Sequence, residues 1–236
     1  MRALPLLSLA KATQALVHGE LLIFPTETVF GLGGDAMNAK AVEAVFRVKR
    51  RPVHKPLPVV AGSRSQLDCA IPPPADAEAR LMELFWPGPL SIVCRARTEL
   101  PSALSAGSGR VAVRVSPHPA VRALCRESGL VLVATSANIS GNPSARRLGE
   151  LDERLAGRVA GVFYFPPDPA GGKPSTLVEV VCASEDAACA GDGAPFHADA
   201  GVGQNVLRNR PRLRILRRGA IAEADLLAAG FTVITE

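Results

Sequence analysis

Apolar positions recur along the chain with two periods, and their alternation sketches the secondary structure. Ser8 precedes Leu9, Ala12, Leu16 and Val17, the spacing of an amphipathic helix with a hydroxyl cap. Strand-length apolar runs follow at Leu21–Phe24, Leu57–Ala61, Leu90–Ala96, Val111–Val115, Leu130–Ala134, Ser175–Val181 and Arg212–Leu216. Helical stretches lie between them. Asn38 can cap a segment carrying Val42, Val45, Phe46 and Lys49, and Pro72–Pro74 open "ADAEARLMELFW", which stops at Pro87-Gly88-Pro89. Pro117–Ser128 reads as helix, and "IAEADLLAAG" closes on Gly230 as its C-cap. The rhythm predicts an α/β sheet with helices packed on it. Strand direction is mixed, because several connections are too short for a crossover helix.

One segment has neither period. Residues 183–204, "ASEDAACAGDGAPFHADAGVGQ", are rich in Ala, Gly and Asp and read as a flexible insertion, since they offer too little apolar surface to offset ordering. The remainder of 1–236 is expected to form a single domain around one core, which 47% hydrophobic residues over 236 positions can supply.

Composition then narrows the chemistry. Twenty-seven basic against 22 acidic residues leave a net charge of +5, which suits an anionic partner such as a nucleotide or RNA. The five cysteines are scattered and never spaced as CxxC, and the four histidines show no HExxH or paired spacing, so no zinc site or disulfide framework is expected. The N-terminal run after Arg2 resembles a leader peptide, but Lys11 interrupts it, and no window reaches the ~18 apolar residues of a membrane span. A soluble, cytoplasmic protein with no membrane association is the expectation.

Three polar clusters could carry function. In Pro25-Thr26-Glu27-Thr28, followed by Gly31, Gly33 and Gly34, short polar side chains sit at a strand end beside glycines; a small polar ligand and a simple capping turn both fit. "KRRPVHKP" places Lys49, Arg50, Arg51, His54 and Lys55 at a helix end, as a polyphosphate site needs and as a solvated face complementing the helix dipole also allows. "ATSANISGNPSAR" sets Ser136, Asn138, Ser140, Asn142 and Ser144 on one loop after a buried strand, where open α/β sheets place ligands, although Ser/Asn turns are common. "AGGKPST" lacks the first glycine of a Walker A loop and has Pro174 after Lys173, so any nucleotide is held otherwise.

Taken together, "FPTETVFGLGGDA", "KRRPVHKPLPVV", "FWPGPLSIV", "VAVRVSPHP", "ATSANISGNPSA", "PSTLVEV" and "LRILRRGAI" resemble the threonylcarbamoyl-adenylate synthases of the Sua5/YrdC type over nearly the whole chain outside the insertion. The resemblance implies a YrdC-like twisted mixed sheet flanked by helices around a positively charged cavity. It also implies an enzyme, a nucleotidyltransferase, that converts L-threonine, bicarbonate and ATP to threonylcarbamoyl-AMP and pyrophosphate. Magnesium would be held through the phosphates, with no metal site of the protein's own, and the product would pass to a tRNA-modifying transferase complex.

The same resemblance implies roles residue by residue. Lys49 and Arg51 match the basic pair beside the triphosphate. Thr28, Arg114, Ala134 and Thr176, with Ser175 as an alternative to Thr176, fall on the threonine side. Lys55, Arg110, Ser136, Asn138, Ser144 and Arg217 fall with Arg51 on the nucleotide side. The sequence departs from the family at Val60, where many relatives carry His, at Phe30 in place of a common Tyr, and at "GGKPST" in place of a G-x-x-E-S-T form. There is no room after Arg217 for the extra domain of the longer branch, so the single-domain branch is expected. Two other readings remain in view. One is an RNA-binding module of the same fold, binding tRNA or double-stranded RNA through Arg208, Arg210, Arg212, Arg214, Arg217 and Arg218. The other is the related site of hydrogenase-maturation carbamoyltransferases, which belong to much longer chains.

Overall fold

The structure is a computed structural model that describes residues 4–181 and 210–234; the insertion expected at 183–204 lies outside them. In chain order the elements are β1 (Leu6–Leu7), α1 (Leu9–Val17), β2 (Leu22–Pro25), β3 (Phe30–Gly33), α2 (Ala39–Lys49), β4 (Val59–Ala61), α3 (Asp76–Phe85), β5 (Leu90–Arg95), β6 (Arg110–Val115), α4 (Pro119–Ser128), β7 (Leu132–Val133), β8 (Thr135–Ser136), β9 (Gly161–Phe163), β10 (Thr176–Val181), β11 (Arg212–Arg217), α5 (Glu223–Ala228) and β12 (Thr232–Ile234).

Helices α1 and α2 begin where the polar caps predict. Ser8 Oγ accepts from Lys11 N, and Asn38 Oδ1 accepts from Lys40 N at 3.0 Å and Ala41 N at 3.3 Å, satisfying amides that have no partner within the helix. His118 caps α4, its Nδ1 accepting from Ala120 N at 3.2 Å. At its other end α2 closes through Arg50, whose φ of 51° is left-handed, while Arg51 N reaches back to Phe46 O at 3.0 Å. The turn separates Lys49, buried on the helix, from Arg51, half-exposed on the loop.

The strands form two mixed sheets rather than the one expected. Their orders are β1-β9-β2-β3-β8 and β12-β11-β10-β5-β6-β4-β7. The anticipated strand Leu130–Ala134 shortens to Leu132–Val133, and the loop residues that follow it enter the other sheet. Leu132–Val133 pair antiparallel with β4, the chain crosses at Ala134, and Thr135–Ser136 pair antiparallel with β3. Bonds at the crossing stitch the sheets together: Val133 N donates to Gly34 O at 2.9 Å and Ala134 N to Pro58 O at 3.1 Å. The mixed strand direction follows the short connections, as in the antiparallel β2–β3 and β5–β6 pairs, while β10–β5 and β4–β6 run parallel. One apolar cluster joins α2, α3 and the inner faces of both sheets; a second packs α1 and α4 over Leu22, Phe24, Val60 and Leu132.

Phe30-Gly31-Leu32-Gly33 forms β3, where a glycine-rich loop is the sequence reading. The glycine at 33 has a steric cause, because a Cβ built there collides with Val133 O. Only Gly lets β3 and β7 approach this closely. Gly33→Ala is expected to destabilise the fold by about 2 kcal/mol or more, read as a lower urea midpoint at constant m-value.

Candidate active site

Lys49 ends α2 with 2% of its surface exposed, at a position where a lysine ordinarily reaches water. Its Nζ donates to Ser136 O, to Asn138 O at 2.7 Å and to Asn138 Oδ1 at 3.0 Å. An ammonium has three protons, and these oxygens take all three. Asn138 Oδ1 also accepts from Ser136 Oγ at 2.6 Å, Asn138 Nδ2 donates to Asn142 O, and Ser140 N donates to Lys49 O at 3.0 Å. Burial, then the nearby Arg51 charge, pull the Lys49 pKa down to about 8.

The sequence alternative of a solvated cationic helix end therefore fails for Lys49. Arg51 remains on the loop, its Nε donating to Lys55 O at 3.2 Å and Nη2 to Pro56 O at 3.0 Å, so it braces the 51–56 turn; burial lowers its pKa. The Lys55 side chain is exposed on that turn, and Ser144 is exposed beyond the Lys49-bound loop.

The Thr26–Val29 turn lies on the next strand over, since Gly31 pairs with Ser136 across β3 and β8. Thr26 Oγ1 donates to Val29 O at 2.7 Å, which makes Thr26 the lock of the turn and leaves Thr28 half-exposed beside it. Glu27 forms an ion pair with Arg114 of β6 and accepts from Ser116 Oγ at 2.9 Å. Arg114 is pushed down to about 10 by burial and by the charge of Arg217. Arg217, at the end of β11, donates from Nε and Nη2 to Ser175 O at 3.1 and 3.0 Å and from Nη2 to Ser175 Oγ at 2.9 Å. Ser175 Oγ is in turn 3.0 Å from Ser91 Oγ. Val60 pairs in register with Arg114 and presents an apolar side chain on the same face of the sheet.

A strap over residues 167–171 crosses this turn. Ala170 N donates to Glu27 O at 3.3 Å and Gly171 N to Thr28 O at 3.0 Å. His118 holds the strap through Nε2 and Pro167 O, 3.0 Å apart; because Nδ1 is the acceptor for Ala120 N, Nε2 carries the proton, and burial lowers the imidazole pKa.

The structure thus gathers Lys49, Ser136 and Asn138 in one group and Thr28, Arg114 and Arg217 in another, with Ala134 at the crossing between the sheets. Arg51 and Lys55 on the 51–56 turn and the exposed Ser144 fall in neither group, and Thr176 and Arg110 also stand apart. Thr176 is fully buried with its hydroxyl donating to Ile221 O at 2.7 Å and accepting from Ile221 N at 2.9 Å, so Ser175 is the member of that pair in contact with Arg217. Arg110 lies four residues before Arg114, ~13 Å along the strand. It is held there by Glu179 at 3.0 Å and Val93 O at 3.2 Å. Ser91, Ser116 and the pairing role of Glu27 escaped the sequence reading; the one signal available was that Ser91 and Ser116 flank strand ends.

A buried lysine and two neighbouring arginines set against hydroxyl- and amide-rich strand ends, on two mixed sheets, define an α/β protein with two polar clusters where its sheets meet. The sequence profile of the Sua5/YciO/YrdC family, described as telomere recombination, matches residues 14–188, and the chain belongs to that family. A Bacillus subtilis protein named threonylcarbamoyl-AMP synthase is 38% identical over 170 residues, 72% of this chain and 49% of the relative. A Marinobacter nauticus protein of the same name is 35% identical over 178 residues, 74% of this chain and 92% of the relative. The crystal structure of P. abyssi Sua5 complexed with L-threonine matches with a TM-score of 0.77 at 25% identity, covering 96% of this chain and 58% of that one. The chain spans about half the length of the B. subtilis relative. No helix among the described residues is long and apolar enough to cross a membrane.

Lys49→Ala leaves three oxygens without their donor. A loss of about 3 kcal/mol is expected. In a chain of this size that is a fall in Tm of roughly 6–12 °C, measurable by calorimetry.

Proposed function

We propose that the chain is a threonylcarbamoyl-AMP synthase, a nucleotidyltransferase that makes L-threonylcarbamoyl-AMP and pyrophosphate from L-threonine, bicarbonate and ATP. The observation that carries this reading is the buried Lys49 ammonium bound to the 136–138 loop, with Arg51 close enough to depress its pKa. Two relatives bearing that enzyme name support it, as does the threonine complex of P. abyssi Sua5.

In this scheme the carboxylate of threonine meets Arg114, near Thr28, Ala134 and the Ser175–Thr176 strand end, while Arg51, Lys55, Ser136, Asn138 and Ser144 face the nucleotide, Arg217 reaches it from beside Arg114, and Arg110 lies further out. The α-ammonium and bicarbonate give a carbamate, water and a proton. A carbamate oxygen then attacks the α-phosphorus, and the bond to the pyrophosphate oxygen breaks. Two anions must approach one another, and fixed cations lower that repulsion without having to reorganise. Lys49 contributes by fixing Ser136 and Asn138 and by placing a positive charge behind their loop. Among the described residues no group of three or more His, Cys, Asp or Glu side chains is placed to hold a metal. Magnesium would be brought by ATP and held through its phosphates, where it would offset charge on the transferring group.

The product suits a separate transferase complex that modifies an adenosine of tRNA, in a cytoplasmic enzyme. A non-catalytic RNA-binding reading is weakened at three of the arginines of β11 and the residue after it, while Arg212 is exposed. Arg217 is committed to Ser175, Arg214 lies 3.9 Å from Glu179, and Arg218 bonds Glu223 at 2.8 Å.

Pyrophosphate release by the purified protein with ATP, magnesium and bicarbonate is expected to require L-threonine. It should fall about 100-fold or more in Arg51→Ala and in the Lys49→Ala, Arg51→Ala pair, and decline as pH rises past about 8, where Lys49 loses its charge. Release independent of threonine, or absent while tRNA binding persists, would overturn the proposal. Because Val60 offers no hydrogen bond beside Arg114, L-serine should be used within about tenfold of L-threonine in kcat/KM; a thousandfold preference for threonine would sink that expectation.

A further inference from the structure

The group around Arg114 holds two cations and one carboxylate. Arg114 and Arg217 lie close enough for one to depress the pKa of the other, and the Arg114 and Glu27 side chains are only 11% and 16% exposed. Removing an ion pair from water is costly, and hydrophobic residues of similar volume would serve packing as well. A carboxylate placed against an arginine that is meant to receive a ligand carboxylate also competes with that ligand. The arrangement makes sense if the ligand carries both charges.

Glu27 is built to stay in place. One oxygen faces Arg114, the other accepts from Ser116 Oγ at 2.9 Å, and its backbone carbonyl accepts from Ala170 N at 3.3 Å. A carboxylate has about four lone-pair positions, so these two side-chain contacts leave acceptor capacity for a further donor. Two arginines and one glutamate leave the group at +1. A ligand carboxylate bound by Arg114 would carry its α-substituent alongside Glu27, since the two side chains are in contact.

We infer that Glu27 receives the α-ammonium of the amino-acid substrate and makes this site select a zwitterion over the corresponding amine-free acid. Arg114 and Glu27 then act as a matched charge pair, one for each end of the zwitterion, and Ser116 holds Glu27 in position. The inference rests on the reading of Arg114 as the carboxylate partner given under Proposed function.

The test is calorimetric binding to the full chain of L-threonine and of the 2,3-dihydroxy acid in which a hydroxyl replaces the α-amine. Wild type should bind threonine about 30-fold more tightly, ~2 kcal/mol at 1.4 kcal/mol per decade. Glu27→Gln should narrow the ratio to below about fivefold, chiefly by weakening threonine, with the KM for ATP unchanged within about twofold. An unaltered ratio in Glu27→Gln, or equal weakening of both acids and ATP, overturns the inference in favour of a purely structural pair. Should Glu27→Gln fail to fold, the wild type decides: a ratio below about threefold overturns it. The synthase reading fails separately. Selective threonine binding without threonine-dependent pyrophosphate release would remove the synthase and leave Glu27 its role.

Discussion

A lysine ammonium taken out of water has to be given acceptors, and that requirement at Lys49 organises the centre of the molecule. The acceptors come from Ser136 and Asn138, 87 and 89 residues further on. Meeting them fixes where the chain emerges after crossing between the sheets. β8 then pairs with β3, which places the Thr26–Val29 turn one strand away. The end of one helix, an edge strand and the turn that carries Glu27 and Thr28 are all tied, directly or through one pairing, to a single buried charge. Three satisfied donors keep that charge from being an isolated cost.

Around this centre the charges are sorted along β6. Arg114, near its C-terminal end, belongs to the group of Glu27, Ser116 and Arg217, whereas Arg110 at its start is paired with Glu179 on the neighbouring side of the sheet. Alternation explains the shared face, because residues four apart in a strand point the same way. What separates their surroundings is the partner each meets: a serine-rich strand end in one case and a carboxylate in mid-sheet in the other.

Most helices and the longer strands were legible in the sequence because each combines a clear period with a cap or a proline. The sheet partition was not. Whether Leu132–Val133 and Thr135–Ser136 share a strand or divide between sheets depends on partners remote in sequence, and two polar residues have no period to read. β3 was hidden by its glycines, since Gly weakens a strand on propensity alone and only the proximity of Val133 O explains Gly33. The three polar clusters were found, but the inward position of Lys49 was not, because a basic residue in the last turn of a helix is equally well placed for water. Thr176 shows the converse failure: the motif marks the right strand end, and the hydroxyl of the neighbouring residue is the one in contact with Arg217.

The strap over residues 167–171 meets its neighbours through main-chain atoms: the Pro167 carbonyl, the Ala170 amide and the Gly171 amide. Main-chain atoms are common to nearly all residue types, so these three contacts ask little of the side chains of the strap, except at position 171, where a φ of 75° favours glycine. Side-chain changes at the other strap positions can therefore proceed without breaking these bonds to the turn beneath. A segment that grips through its backbone can look dispensable in a comparison of residue identity and still hold the turn below it.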